Sequence, residues 1–325
     1  MNNATTAQPQ QVLHLQFSVS MIVVNSFSGV LATVLNLLII MTFVKTPALR
    51  ESSANILILS LAVTDILVGT LLQPIYCTFV FSATSNYALD KKLFKVYQTV
   101  KTTLINASLF TITAISVDRF LALHLHLRYQ EFVTTKRTSM VLIAIWTFSA
   151  LWGSLPAVIN EEFVWVHTAI NYLMLLLLLI NIGLMLRISR IVRQHSAQIH
   201  VQLQNMQPGA AVNFKRSFNI MYFILGTFFL CYAPYICFWI IQKCTGKINN
   251  TYVAASVVNT ILFMNSAINP IVYFWRIQDM RNAALQLLPW RFFRRQNSDD
   301  LNNCNTNSNN IDNINCNNSN CAVNI

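Results

Sequence analysis

The sequence predicts an all-α membrane protein: a bundle of seven transmembrane helices with a short amphipathic cytoplasmic helix after the seventh span. Three observations carry that fold class. Of 325 residues, 54% are hydrophobic and only 10% charged, with a mean hydropathy of +0.49; that leaves too little polar surface to coat a water-soluble globule. A span needs about 20 apolar residues to cross roughly 30 Å of hydrocarbon, and seven such runs occur, at 18–44, 54–80, 95–124, 138–158, 163–193, 213–242 and 253–275. The basic residues sit in alternate gaps between those runs.

Before the first run, residues 1–17 hold no Lys or Arg, and MNNATTAQPQQ lacks the positive region of a cleaved signal. The first span is therefore expected both to target and to anchor the chain. Lys45, Arg50, Arg128, Lys136, Arg137, Arg187, Arg190, Arg193, Lys215 and Arg216 fall in every second connection, and Arg276, Arg281, Arg291, Arg294 and Arg295 follow the last span. The positive-inside rule makes those gaps cytoplasmic and the amino terminus extracellular. The opposite side carries the smaller set Lys91, Lys92, Lys95, Lys243 and Lys247. Two N-x-[ST] acceptors, Asn3 and Asn249, then fall outside the cell as glycosylation candidates, although Asn106-Ala107-Ser108 matches the same pattern inside a span.

Residues 18–288 form the expected transmembrane domain. Its last part, Trp275 to Leu288, places Ile277, Met280, Ala284 and Leu285 on one face and ends at Pro289, the pattern of a helix lying on the inner leaflet. Residues 289–325 are Asn-rich and apolar-poor, hence a disordered cytoplasmic tail. A net charge of +11 would favour nucleic acid in a soluble protein; here it lies in interspan gaps, where membrane lipid is the expected partner and nucleic acid is not. The seven cysteines show neither metal-ligand spacing nor a disulfide framework.

Ionisable groups deep in a span cost a few kcal/mol and require a partner or a function. Asp65 lies about 16 Å of helical rise from Ala54, near the bilayer midplane. Asn36, Ser108, Asn265, Ser266 and Asn269 sit at similar depth, the last three on one helix face. Two readings are open: a site for a small cation or water, or a hydrogen-bonded cluster that only joins helices. Asp118-Arg119-Phe120 at the cytoplasmic end of the third span is either a switch or an interfacial anchor. Pro234 and Pro270 interrupt the sixth and seventh spans, freeing the carbonyls of Leu230 and Ser266 and predicting kinks.

Taken together, Asn36, Ser60-Leu61-Ala62-Val63-Thr64-Asp65, Asp118-Arg119-Phe120, Trp146, Cys231-Tyr232-Ala233-Pro234 and Asn269-Pro270-Ile271-Val272-Tyr273 follow the order and spacing of one family. From about Phe17 to Leu288 the chain resembles the rhodopsin-like G-protein-coupled receptors. The resemblance implies a receptor at the plasma membrane that binds an extracellular small-molecule, lipid or peptide ligand. It would promote nucleotide exchange on a heterotrimeric G protein as the sixth helix pivots outward at Pro234. It also implies roles. Asp65, Ser108, Asn265, Ser266 and Asn269 match the family's sodium pocket, which makes sodium an expected allosteric ligand and leaves no other cofactor. Arg119 matches the arginine released on activation, Phe228 and Tyr232 the switch beneath the ligand, and Tyr273 the tyrosine that moves inward.

Departures from the family pattern carry their own expectations. Phe94 replaces the cysteine that ties the third helix to the second outer loop, so that disulfide is absent. Tyr232 stands for a tryptophan, Phe120 for a tyrosine and Phe214 for an acidic partner of the arginine, which predicts a loosely held resting state with basal activity. The missing cysteine, the short outer loop and the proline-free fifth span are similar to the branch containing melanocortin, cannabinoid, lysophospholipid and adenosine receptors.

By the same resemblance Lys101, Tyr235, Trp239, Asn259 and Phe263 line the ligand pocket. Lys101 replaces the aspartate of amine receptors, which argues against a simple amine. Phe263 replaces the lysine of opsins, which argues against retinal. Lys101 has two candidate partners, an anionic ligand or one of Asp90, Glu161 and Glu162. No nucleophile, base and orienting group share one face, so no catalytic residues and no enzyme activity are expected. Competing readings are a non-signalling receptor uncoupled by its altered switch residues, and an ion transporter or channel using Asp65; the absence of an internal repeat disfavours the latter.

Overall fold

The structure is a computed structural model, which describes residues 7–47, 52–84, 91–125, 128–158, 164–203, 208–246 and 251–276. Its helices are α1 (Ala7–Lys45), α2 (Ser53–Leu67), α3 (Gln73–Thr84), α4 (Lys91–Leu125), α5 (Tyr129–Phe132), α6 (Thr135–Val158), α7 (Val164–Leu203), α8 (Pro208–Thr245) and α9 (Thr251–Arg276). Seven segments are long and apolar enough to cross a membrane, with α2 and α3 forming one of them, and they coincide with the seven runs read from the sequence. The expected amphipathic helix lies almost wholly beyond residue 276 and so outside the described residues. Asn3, Asn249, Asp90, Glu161, Glu162 and the tail fall outside them as well.

These helices form because long apolar stretches in hydrocarbon must satisfy every backbone N–H and C=O internally. Packing then follows side-chain size. α4 runs through the middle, touching α2, α6, α7 and α8, while α1 closes the ring against α2, α3 and α9. On α6 the buried residues are Thr138, Leu142, Ser149 and Gly153, one narrow stripe at helical spacing. Its remaining faces are lipid-facing: Ile143 and Leu151 are exposed there, as Phe27 is on α1 and Leu230 on α8.

Polar residues point inward and tie the spans together, as expected where hydrocarbon offers them no other partner. Asn25 donates to Thr260 at 2.9 Å, Gln73 to Ser28 at 2.6 Å and the Trp146 indole to Ser60 at 3.1 Å. Asn181 donates to Thr113 at 2.8 Å and accepts from Ser116 at 2.9 Å.

Sequence reading missed two features. Between α2 and α3 the chain makes a π-turn, Val68–Leu72, closed by the Gln73 N–H on the Val68 carbonyl. Pro74 explains it: proline cannot donate to the Thr70 carbonyl and its ring crowds that oxygen, and a wider turn relieves both. The second is α5, a single turn after the third span. Its carbonyl end is held by Arg137, whose Nη1 donates to Glu131 O at 3.0 Å and Phe132 O at 2.9 Å.

Phe94, which stands where the resemblance implies a cysteine, joins an aromatic cluster between α3 and α4. Phe94 packs against Phe79 at 6.0 Å between ring centroids, and Tyr97 stacks on Phe79 at 5.4 Å and on Tyr76 at 5.7 Å. The cysteines among the described residues, Cys77, Cys231, Cys237 and Cys244, are all free thiols.

Candidate functional site

Three groups of residues lie along the bundle axis. The middle one centres on Asp65. α2 presents Ser60, Leu61, Thr64 and Asp65 to the interior, and Asp65 is fully buried. From α9, the Asn269 amide donates to Asp65 Oδ2 at 3.0 Å and the Ser266 hydroxyl faces the same carboxylate. Pro270 leaves the Ser266 carbonyl without its helical donor, and Asn36 supplies one, its Nδ2 lying 3.0 Å from that oxygen and 2.8 Å from Ala32 O. The expected orphan carbonyl thus becomes one of the ties between α1 and α9.

Several oxygens in this group stay without hydrogen-bond partners although buried: Asp65 Oδ1, Ser108 Oγ, Asn265 Oδ1 and Asn269 Oδ1. A cluster serving only to join helices would be expected to pair its own atoms. Carboxylate, amide and hydroxyl oxygens are the donors a hard cation takes. Among the described residues no three His, Cys, Asp or Glu side chains come together, so the donor set suits a singly charged ion with water better than a transition metal.

Next to this group, Phe228 and Tyr232 of α8 stack with centroids 3.8 Å apart, both buried, and the Tyr232 hydroxyl reaches toward Ser108. Helix α8 runs unbroken through Pro234, and α9 through Pro270. Tyr273 is fully buried, its hydroxyl without a partner.

At one end of α4, Asp118 is buried and pairs with the adjacent Arg119 at 3.6 Å. The Tyr129 hydroxyl donates to the other oxygen of Asp118 at 2.6 Å. Burial and the neighbouring Asp118 carboxylate raise the Tyr129 phenol above its ordinary range, keeping it a donor. One carboxylate is therefore shared between a phenol and a guanidinium. Phe120 stacks on His124 one turn along, 5.8 Å between centroids. Tyr129 is the member of this group that sequence reading passed over; its only signal was an aromatic residue with a hydroxyl soon after Arg119. The Phe214 side chain lies outside the described residues.

At the other end of α4, a cavity of about 330 Å³ opens between α4, α7 and α8. Lys101, Tyr235 and Trp239 line it; Asn259 and Phe263 do not. Phe263 turns instead into the aromatic cluster, edge-on to Tyr76 at 5.2 Å, and the Asn259 amide donates to Ala255 O on its own helix at 2.7 Å. Ile105, Asn106, Asn171 and Met174 are among its other lining residues. Trp239 is braced by Tyr172, edge to face at 5.1 Å.

Residues 35–273 match the family described as 7 transmembrane receptor (rhodopsin family). Among curated relatives, melanocortin receptor 4 of Danio rerio is 27% identical over 266 residues, covering 80% of this chain and 81% of the relative. The histamine H2 receptor of Canis lupus familiaris is 28% identical over 266 residues, covering 74% and 72%. G-protein coupled receptor 12 of Rattus norvegicus is 27% identical over 272 residues, covering 79% and 77%. A melanocortin receptor lies inside the branch expected from the missing cysteine and the histamine receptors lie outside it, at nearly equal identity. The match over residues 35–273 carries the family, and identities of 27–28% do not carry the branch.

Proposed function

Because the chain belongs to the rhodopsin family of seven-transmembrane receptors, we propose that it binds an extracellular ligand and accelerates nucleotide exchange on a heterotrimeric G protein. Its membership makes it a multi-pass G-protein-coupled receptor rather than an enzyme or a transporter. The proposed mechanism places it at the plasma membrane with the amino terminus outside, and has α8 swing outward about Pro234. The observation that carries this reading is the shared carboxylate at the Arg119 end: Asp118 holds Arg119 at 3.6 Å and Tyr129 at 2.6 Å. A carboxylate divided between Arg119 and Tyr129 gives the arginine end of α4 two arrangements, which a ligand or a G protein can bias. The test is nucleotide exchange on a panel of purified Gα subtypes by the receptor in nanodiscs. Acceleration of none of them, with Tyr232→Trp and Phe120→Tyr also silent, would remove the coupling proposal.

Within this reading Tyr129 limits how tightly Asp118 grips Arg119. In Tyr129→Phe the carboxylate loses one donor and turns both oxygens to the guanidinium. A hydrogen bond to a charged group is worth about 1.5–3 kcal/mol, of which we expect part to appear as a basal exchange rate roughly three- to tenfold lower. A rise in basal rate would show instead that Tyr129 holds the resting state.

The residues around Asp65 fit a sodium ion, with Asp65, Ser108, Asn265, Ser266 and Asn269 as the group that would hold it; a bound ion would supply a positive charge to the buried carboxylate. Those residues join α2, α4 and α9, so occupancy favours whichever state keeps them together. Exchange by the wild-type receptor is expected to fall when sodium replaces N-methylglucamine at constant ionic strength, by about twofold at a concentration equal to the dissociation constant. Asp65→Asn should lose that response. An equal response in both proteins would sink the assignment.

A further inference from the structure

The cavity at the Lys101 end has a charge pattern of its own. Lys101 is buried, 8% exposed, an unusual place for an ammonium without a counter-ion. Its Nζ lies 4.6 Å from the centroid of the Tyr235 ring, 5.7 Å from that of Tyr97 and 3.5 Å from the Tyr235 hydroxyl. Two π faces and one long hydrogen bond only partly replace water around three N–H donors. No carboxylate among the described residues pairs with it.

Further along α4, the fully buried Asn106 lines the same cavity, and neither its Nδ2 nor its Oδ1 has a partner. Lys243 stands at the rim. The described lining thus contains two cations, no anion and an amide with donors to spare. Phe94, Ile105, Met174 and Trp239 supply apolar wall. A volume of about 330 Å³ falls at the small end of ligand pockets, roughly 300–1,000 Å³.

We infer that the ligand of this cavity is a small organic anion, a carboxylate joined to an apolar or aromatic body, with Lys101 and the Asn106 amide binding the carboxylate and Trp239 flanking the body. This rests on the reading of the chain as a ligand-binding receptor and adds the charge and size of the ligand. An ammonium ligand would face two lysines across a low-dielectric cavity, and a neutral one would leave Lys101 uncompensated.

The experiment uses the full-length receptor in phosphatidylcholine nanodiscs, with empty nanodiscs as the blank. Binding of 3-phenylpropionate, indole-3-propionate and octanoate is followed by saturation-transfer NMR, each acid against its primary amide and the corresponding amine. We expect at least one acid to bind saturably, with its amide and amine tenfold or more weaker. Lys101→Met should weaken that acid roughly thirtyfold or more, and Lys101→Arg should retain most of the binding. Thermal midpoints of both variants establish that they are folded.

Acids that bind no better than their amides, or equally well to Lys101→Met, overturn the inference. So does an acid preference that appears only once Asp90, Glu161 or Glu162 is neutralised, since one of those carboxylates would then be the resident partner of Lys101. Basal exchange on Gα in the same preparations separates the two proposals. Exchange without acid preference keeps the receptor reading and removes the ligand class; Lys101-dependent acid binding without exchange does the reverse.

Discussion

Replacing Arg119 by alanine should reduce nucleotide exchange on the cognate Gα to the level of membranes lacking the receptor. The Arg119 side chain is about one-quarter exposed, at 23%, while its partner Asp118 is 5% exposed. The guanidinium therefore sits at the boundary between the bundle and the cleft that movement of α8 would open. Truncating a charge that is desolvated in the complex costs about 2–5 kcal/mol, part of it from the partner left unpaired, or roughly thirtyfold and upward in binding. Arg119→Ala also leaves the buried Asp118 carboxylate with Tyr129 as its remaining donor, so some loss of stability accompanies the loss of coupling. Matching folded protein by thermal midpoint and including Arg119→Lys, which keeps the charge without the planar fork, separates the two effects. An intermediate rate for the lysine variant and none for alanine is the expected order. Full exchange by Arg119→Ala at matched folded protein would remove Arg119 from the mechanism and leave the Asp118 pair as an interfacial anchor.

The largest effect on stability is expected at Gly153. A Cβ placed there would run into Thr103 Oγ1 and lie 2.8 Å from Thr103 N and 3.1 Å from Thr103 Cα. The hydroxyl can rotate away, but the backbone of α4 cannot, so any side chain at Gly153 forces α4 and α6 apart. Overpacking of this kind costs about 1–3 kcal/mol for the smallest addition, and Gly153→Val exceeds Gly153→Ala because its branches meet the same wall. With roughly 2–4 °C per kcal/mol for a domain of this size, Gly153→Ala should lower the thermal midpoint by several degrees and Gly153→Val by about 10 °C or more. Gly183 and Gly226 have nothing within 4 Å of a built Cβ. Alanine at either is expected to leave the midpoint unchanged or to raise it, since glycine is about 1 kcal/mol poorer than alanine inside a helix. Equal behaviour of the three glycines would show that α4 and α6 do not meet closely at Gly153.

Separation of α4 from α6 also carries a functional expectation. α4 bears Lys101 at one end, Ser108 in the middle and Asp118 and Arg119 at the other, so its position relative to the bundle sets all three groups at once. A stability loss at Gly153 should therefore reach both binding and exchange, unlike the local change in Tyr129→Phe.

Hydropathy and the placement of Lys and Arg determined the seven spans, because membrane insertion is governed by the local transfer free energy of each run. Local covalent chemistry determined that Pro270 would orphan the Ser266 carbonyl. The order of Asn36, Asp65, Arg119, Pro234 and Asn269 along the chain was enough to carry the family. Tertiary structure alone decided what answers each of those groups. Asn36 reaches Ser266 across 230 residues, Tyr129 shares the Asp118 carboxylate, and Phe79, Phe94, Tyr76 and Tyr97 pack α3 against α4. Phe263 leaves the cavity for Tyr76, and Lys101 is held between two tyrosine rings. The division has a physical cause: a span forms from interactions within one stretch of chain, whereas the partner of a buried polar or aromatic group depends on the rotation and register of helices far apart in sequence. Those are set by packing, and no short window of sequence contains it.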